Sequence, residues 1–396
     1  MRGRIAGIAL AVGAALAAAA PARADDPDTD VAAAKAPVKL TVLEIVDLWR
    51  NTEGGVSVGD EALSKLRVSA TVDGDEIGHP GFKAHVQLFA TNGQSFSLAR
   101  VGDIQTLSNI DAPTAVRLFD LWAEQSLGDV TLRAGLMDVN LDFDAIAPAQ
   151  LFVNSSHGIG PDLSKSGVVG PTIFPVSTLA AEASWKATKR LTLKVAASDG
   201  VPGDADHPGA FAAVNLGGQE GAMLLGQADT DLGGDAQASL GVWGYTTRYS
   251  QIFPARIPAH GSGGVYGFIQ GPLGKDWTGW VRVGAADPQA DIVASYLGFG
   301  VVKAAPFPGR KDDQLGLAVA RAGFGGDARR ALDLPNAETA IEETYRYVAG
   351  PHLSLQPDLQ YIIHPASAPH LPNALAVGLR LILLGNAPKG TKDEED

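Results

Sequence analysis

The chain has 396 residues, with 31 Lys and Arg against 44 Asp and Glu, a formal net charge of −13 and no cysteine. Without clustered basic residues to neutralise phosphates, such acidity weighs against a nucleic-acid partner, and the missing cysteines rule out a disulfide-stapled scaffold. Forty-seven glycines among many short alternating runs indicate an all-β chain with frequent turns.

In chain order, Arg2 and Arg4 precede the apolar run IAGIALAVGAALAAAA, followed by the small residues Ala22 and Ala24. These are the parts of a secretory signal peptide spanning 1–24. Its removal takes away three arginines and no acid, moving the formal charge from −13 to −16. No later run reaches the roughly 18 unbroken apolar residues of a spanning helix, so a membrane role requires a barrel.

Alternating runs between turn signals then predict about sixteen strands: 39–49, 63–72, 82–91, 115–125, 129–137, 177–187, 190–198, 221–230, 237–247, 263–270, 277–285, 292–302, 313–322, 338–348, 353–363 and 374–384. Most approach the 9 to 11 residues a tilted strand needs to cross a bilayer. Long insertions at 92–114, 138–176, 199–220, 248–262 and 323–337 alternate with short turns, as in a barrel with turns on the periplasmic side and loops outside. The turn KAAPFPGRKD is longer than this pattern wants. The barrel domain is expected over 25–385, with an acidic tail at 386–396.

A β-sandwich also alternates. The last strand, ALAVGLRLILL, states the choice: its leucine face meets either a protein core or lipid, and Arg380 meets either solvent or a channel. Arg67, Arg133, Lys194, Arg282, Arg346 and Arg380 recur near strand centres, which favours an inner face lining water and hence a transmembrane antiparallel β-barrel.

The segment NAETAIEETYRYVAGPHLSLQPDLQYIIHP (336–365), the loop LFVNSSHGIGPDLSKSG with PTIFP (151–175) and the strand DQLGLAVA (313–320) together resemble the carbohydrate-selective porins of the OprB type. The resemblance implies a sixteen-stranded outer-membrane barrel passing small neutral sugars by facilitated diffusion. Two features depart from what such barrels show. The terminal strand ends LILLGN rather than on an aromatic, and Glu343 falls on the face assigned to lipid.

Alternation turns inward Asp120, Trp122 and Glu124 on the fourth strand, Arg133 on the fifth, and Arg282 on the eleventh. It also turns inward Glu338, Glu342 and Arg346 on the fourteenth, Gln356, Asp358 and Gln360 on the fifteenth, and Arg380 on the last. Such mixed donors, acceptors and aromatic faces suit sugar hydroxyls and C–H surfaces. The loop at 138–176 is too long for a mere connector and is expected to fold inward and narrow the channel, offering Asn154, Ser155, Ser156 and His157. Each residue also has a plainer role: a lumenal Arg facing a Glu can brace the wall, Asn154 can form a local turn, and Trp49, Trp122, Trp185, Trp277 and Trp280 can sit at the membrane interface.

No H-E-x-x-H, G-x-S-x-G or metal-ligand spacing occurs, so no enzyme and no cofactor is expected. A general porin is the nearest alternative, then a secreted sugar-binding sandwich. The residues leave open which sugar passes and whether the barrel is a monomer or a trimer.

Overall fold

A computed structural model describes residues 37–386 except 94, 205–206, 208, 213, 215–220 and 248–260. The signal peptide, the tail after residue 386 and most of the expected 248–262 loop lie outside the described residues. The strands are β1 (Val38–Glu53), β2 (Gly59–Asp73), β3 (Phe82–Asn92), β4 (Ala115–Leu127), β5 (Val130–Met137), β6 (Thr178–Lys186), β7 (Leu191–Asp199) and β8 (Ala222–Gly233). They continue as β9 (Ala236–Tyr245), β10 (Gly263–Gly274), β11 (Trp277–Ala286), β12 (Val293–Ala304), β13 (Gln314–Phe324), β14 (Ala337–Gly350), β15 (Leu353–Ile363) and β16 (Ala374–Asn386).

Every strand pairs antiparallel with its sequence neighbours, and β1 pairs with β16 to close the barrel. Closure leaves no free sheet edge, which rules out the open sandwich. The long 304–313 turn separates β12 from β13 without hiding a further strand, so the even count holds.

Period-2 alternation sets the faces. On β16, Val377 and Leu379 are exposed outward while Ala376, Gly378 and Arg380 point in and are buried. The outer face continues through exposed Leu359, Leu317, Phe299 and Val281, the apolar band a membrane barrel presents to lipid. Glu343 stands exposed within it, paired between Leu317 and Leu359. Of the tryptophans near strand ends, Trp185 and Trp277 are exposed outward, whereas Trp49 and Trp280 are buried inside.

The apolar core lies within the barrel. Phe143, Ile146, Leu151, Phe152 and Leu163 of the 138–177 loop pack against Leu225, Trp243, Tyr266, Phe268 and Trp280 of the wall. A second cluster packs Phe96, Val101, Leu107 and Ile110 of the 93–114 loop onto Trp49, Leu63, Ala340 and Ala376. Both long loops therefore fold inward; the sequence had suggested this only for the first of them. A bulge in β4 opposite Gln87 and Leu88 adds one more adjustment: it turns both Phe119 and Asp120 inward, where both are buried.

Candidate channel constriction

The inner wall divides into a covered part and an open part. From β8 round to β16 and β1, polar residues on the wall hold the two loops. Arg282 is the main anchor, 1% exposed, and its Nε and Nη2 donate to the Asp144 carboxylate at 2.9 and 2.8 Å while Nη1 donates to Asp162. Gly160 and Gly284 make this possible, since a Cβ at either would strike the Arg282 guanidinium or the Asp162 carboxylate. Burial raises the Asp144 carboxyl above its ordinary range, and the Arg282 charge opposes that shift.

On β14, Glu342 accepts from the backbone N–H groups of Val153 (2.5 Å) and Asn154 (3.0 Å). Glu338 accepts from Ile104, Gln105 and Ala366 at 2.9 to 3.0 Å, tying the 93–114 loop to the β15–β16 loop. On β15, Gln360 donates to Leu107 O and Asp358 and accepts from Asn154 Nδ2, while Gln356 donates to Leu151 O and Thr344. Arg346 donates to Gln356 at 3.4 Å. Arg380 donates to Asp47 through Nε and Nη2 and to Asn109 Oδ1 at 2.8 Å. His157 lies 3.5 Å from Glu342, and burial pushes its imidazole down to about 3, so it is neutral.

The open part runs over β2 to β6. There the inner face carries Lys65, Arg67, Ser69, Thr71, His85, Trp122 and Arg133, all half-buried. His85 stacks on Trp122 with centroids 5.1 Å apart and planes at 20°, and Thr71 Oγ1 holds His85 Nδ1 at 2.8 Å. The Arg133 guanidinium lies 4.6 Å from the same indole, donates to Glu124 at 2.9 and 2.6 Å and to Asp142, and has Glu182 at 3.8 Å. Asp120 accepts from Asp138 N at 3.1 Å at the root of the 138–177 loop. Burial, then the charge of Asp120, raises the Asp138 carboxyl to about 7.

All twelve strand residues nominated from the sequence stand on the inner face, in two groups. Trp122, Glu124 and Arg133, with Asp120 above them, converge on the open wall. Arg282, Glu338, Glu342, Arg346, Gln356, Asp358, Gln360 and Arg380 lie on the covered wall, where most spend their polar groups on loop backbone or loop carboxylates. Asn154 joins the second group; Ser155 donates its N–H to Thr106 O and stays half-buried.

Alternation did not single out Asp47, Asp144, Asp162 or His85, and it had marked Arg67 only as a strand-centre charge. A usable signal was present. The inner faces of β12, β13 and β16 read Gly298, Gly300, Gly316, Ala318, Ala320, Ala374, Ala376 and Gly378, too small for a water-lined wall and right for one that chain packs against. A Cβ at Gly378 would lie 2.5 Å from the Trp49 ring.

The architecture recurs in solved structures. Pseudomonas putida OprB at high pH superposes with a TM-score of 0.78 at 18% identity, covering 88% of this chain and 94% of that one. The outer membrane channel DcaP of Acinetobacter baumannii gives 0.57 at 11% identity, covering 88% and 97%. At those identities the likeness is one of fold. A curated relative, Porin B of Pseudomonas aeruginosa, is 29% identical over 113 residues, which is 24% of this chain and 25% of that protein. Residues 61–382 match the family described as carbohydrate-selective porin, OprB family. The chain belongs to that family. As an OprB-family porin with a closed sixteen-stranded barrel it is a bacterial outer-membrane protein.

Proposed function

We propose that this porin carries small neutral carbohydrates by facilitated diffusion, without a catalytic step, along the open β2–β6 wall. The observation that carries the reading is the cluster at Trp122: an aromatic ring braced by His85 and Arg133 beside the acceptors Glu124 and Asp142. A sugar ring offers an apolar C–H surface and hydroxyls that both donate and accept. A wall with all three features in one place suits it better than it suits an ion. The covered-wall residues serve the channel by holding the loops that narrow it.

Residues 1–24 act as an export signal in this reading, the mature barrel occupies 25–385, and outer-membrane lipid surrounds it as a monomer or trimer. Liposomes containing the mature protein test the transport reading through swelling rates for glucose, a disaccharide, and a polyol and an amino acid of matched size. Faster entry of glucose than of the matched controls supports it. Equal rates for all small solutes reduce the protein to a general porin.

A further inference from the structure

The two inward loops meet at a seam, and one residue there has an unusual backbone. Thr106 adopts φ +65°, the left-handed region. A β-branched side chain is strained in that region, and among the described residues Thr106 is the one β-branched residue with positive φ. Its neighbours Gln105 and Leu107 are buried on the wall, whereas the Thr106 side chain is part-exposed away from it. From the other loop, Lys165 Nζ donates to Thr106 Oγ1 at 3.2 Å, and Ser155 N donates to Thr106 O at 3.0 Å. The Lys165 side chain is exposed. The left-handed backbone thus turns a hydroxyl out from the wall beside an ammonium, and strain of this kind gathers where ligands are clamped. A glycine would hold the turn without strain but would carry no hydroxyl.

We propose that Thr106 and Lys165 form a sugar-contacting lip at this seam, separate from the Trp122 cluster, with the Thr106 hydroxyl as donor and acceptor and Lys165 as donor to neighbouring sugar hydroxyls. The lip rests on the carbohydrate-channel reading above. It lies on the β14–β15 side of the lumen, where Glu342 and Gln360 hold the adjoining loop segments, so a passing sugar meets hydroxyl-binding groups on two walls.

The test is the glucose concentration that halves the ion current through the full mature channel in planar bilayers. Thr106→Val keeps the shape and loses the hydroxyl; Thr106→Ser keeps the hydroxyl; Lys165→Met keeps the length and loses the charge. The half-blocking concentration, each variant normalised to its own sugar-free current, should rise roughly three- to tenfold for Thr106→Val and for Lys165→Met, the scale of one lost hydrogen bond, and stay near wild type for Thr106→Ser. Wild-type block with unaltered half-blocking concentrations in both Thr106→Val and Lys165→Met overturns the lip alone. A wild-type current that glucose does not reduce overturns the carbohydrate reading and the lip with it. If Thr106→Val does not insert, Lys165→Met and Thr106→Ser decide the matter.

Discussion

Arg380 on the last strand and Asp47 on the first are register partners, and the guanidinium donates two hydrogen bonds to the carboxylate at 2.7 and 2.8 Å across the line where the barrel closes. Ser108 donates to the same carboxylate at 2.6 Å, so the closure also holds the 93–114 loop. Removing one member of a buried ion pair leaves the other uncompensated, at about 3–5 kcal/mol. Arg380→Leu should therefore lower the unfolding midpoint in detergent markedly, and Asp47→Leu combined with Arg380→Leu should recover much of the loss. A double variant no more stable than Arg380→Leu would show that packing, not the stranded charge, sets the effect.

Arg282→Met would strand Asp144 and Asp162 inside the barrel. The same scale of about 3–5 kcal/mol applies, but the burden falls on a loop that can leave the wall. Single-channel conductance should rise and become noisier while the sixteen strands remain folded. Unchanged conductance would mean that the Phe143, Phe152 and Leu163 cluster alone holds the loop.

Trp122→Ala removes the ring that His85 and Arg133 brace. Glucose entry in swelling assays should fall roughly three- to tenfold relative to a size-matched polyol, the effect of about 1 kcal/mol of lost aromatic contact. A parallel fall for both solutes would point to a distorted wall.

Asp138 gives a pH dependence with a definite sign. Its carboxyl is raised from 3.8 to about 7, first by burial and then by Asp120, so the folded loop root binds the proton more tightly than the unfolded chain does. Its contribution to stability is full below about pH 4 and is lost as pH rises through about 7. Amide exchange around residues 138–144 should quicken from pH 5 to pH 8 beyond the intrinsic rate change. Asp138→Asn should remove that excess; if it does not, another group governs the loop root.

Glu343 faces outward between two leucines. A carboxylate within a lipid-facing band is mildly destabilising. Glu343→Leu should therefore raise the thermal midpoint in detergent, by an amount on the order of 1 kcal/mol of stability. A lowered midpoint would identify a polar partner for Glu343, such as a neighbouring subunit.

The sequence by itself determined the sixteen strands, their faces and the alternation of turns and loops. The period-2 pattern and turn residues are local, and each strand such as 374–384 carries its own inside and outside. What only the tertiary structure decided is which part of the inner wall stays open. Arg380 and Asp47 are separated by 333 residues and Arg282 and Asp144 by 138, so no local pattern pairs them. A guanidinium on an inner face reads the same from the sequence whether it meets water or a loop carboxylate. The loops settle on the β8–β16 side because glycine and alanine leave room on β12, β13 and β16, while Trp243, Tyr266, Phe268 and Trp280 on β9 to β11 give the loop's apolar side chains a surface to pack on. On β2 to β5 the inner face carries Lys65, Arg67, His85, Trp122 and Arg133, all half-buried.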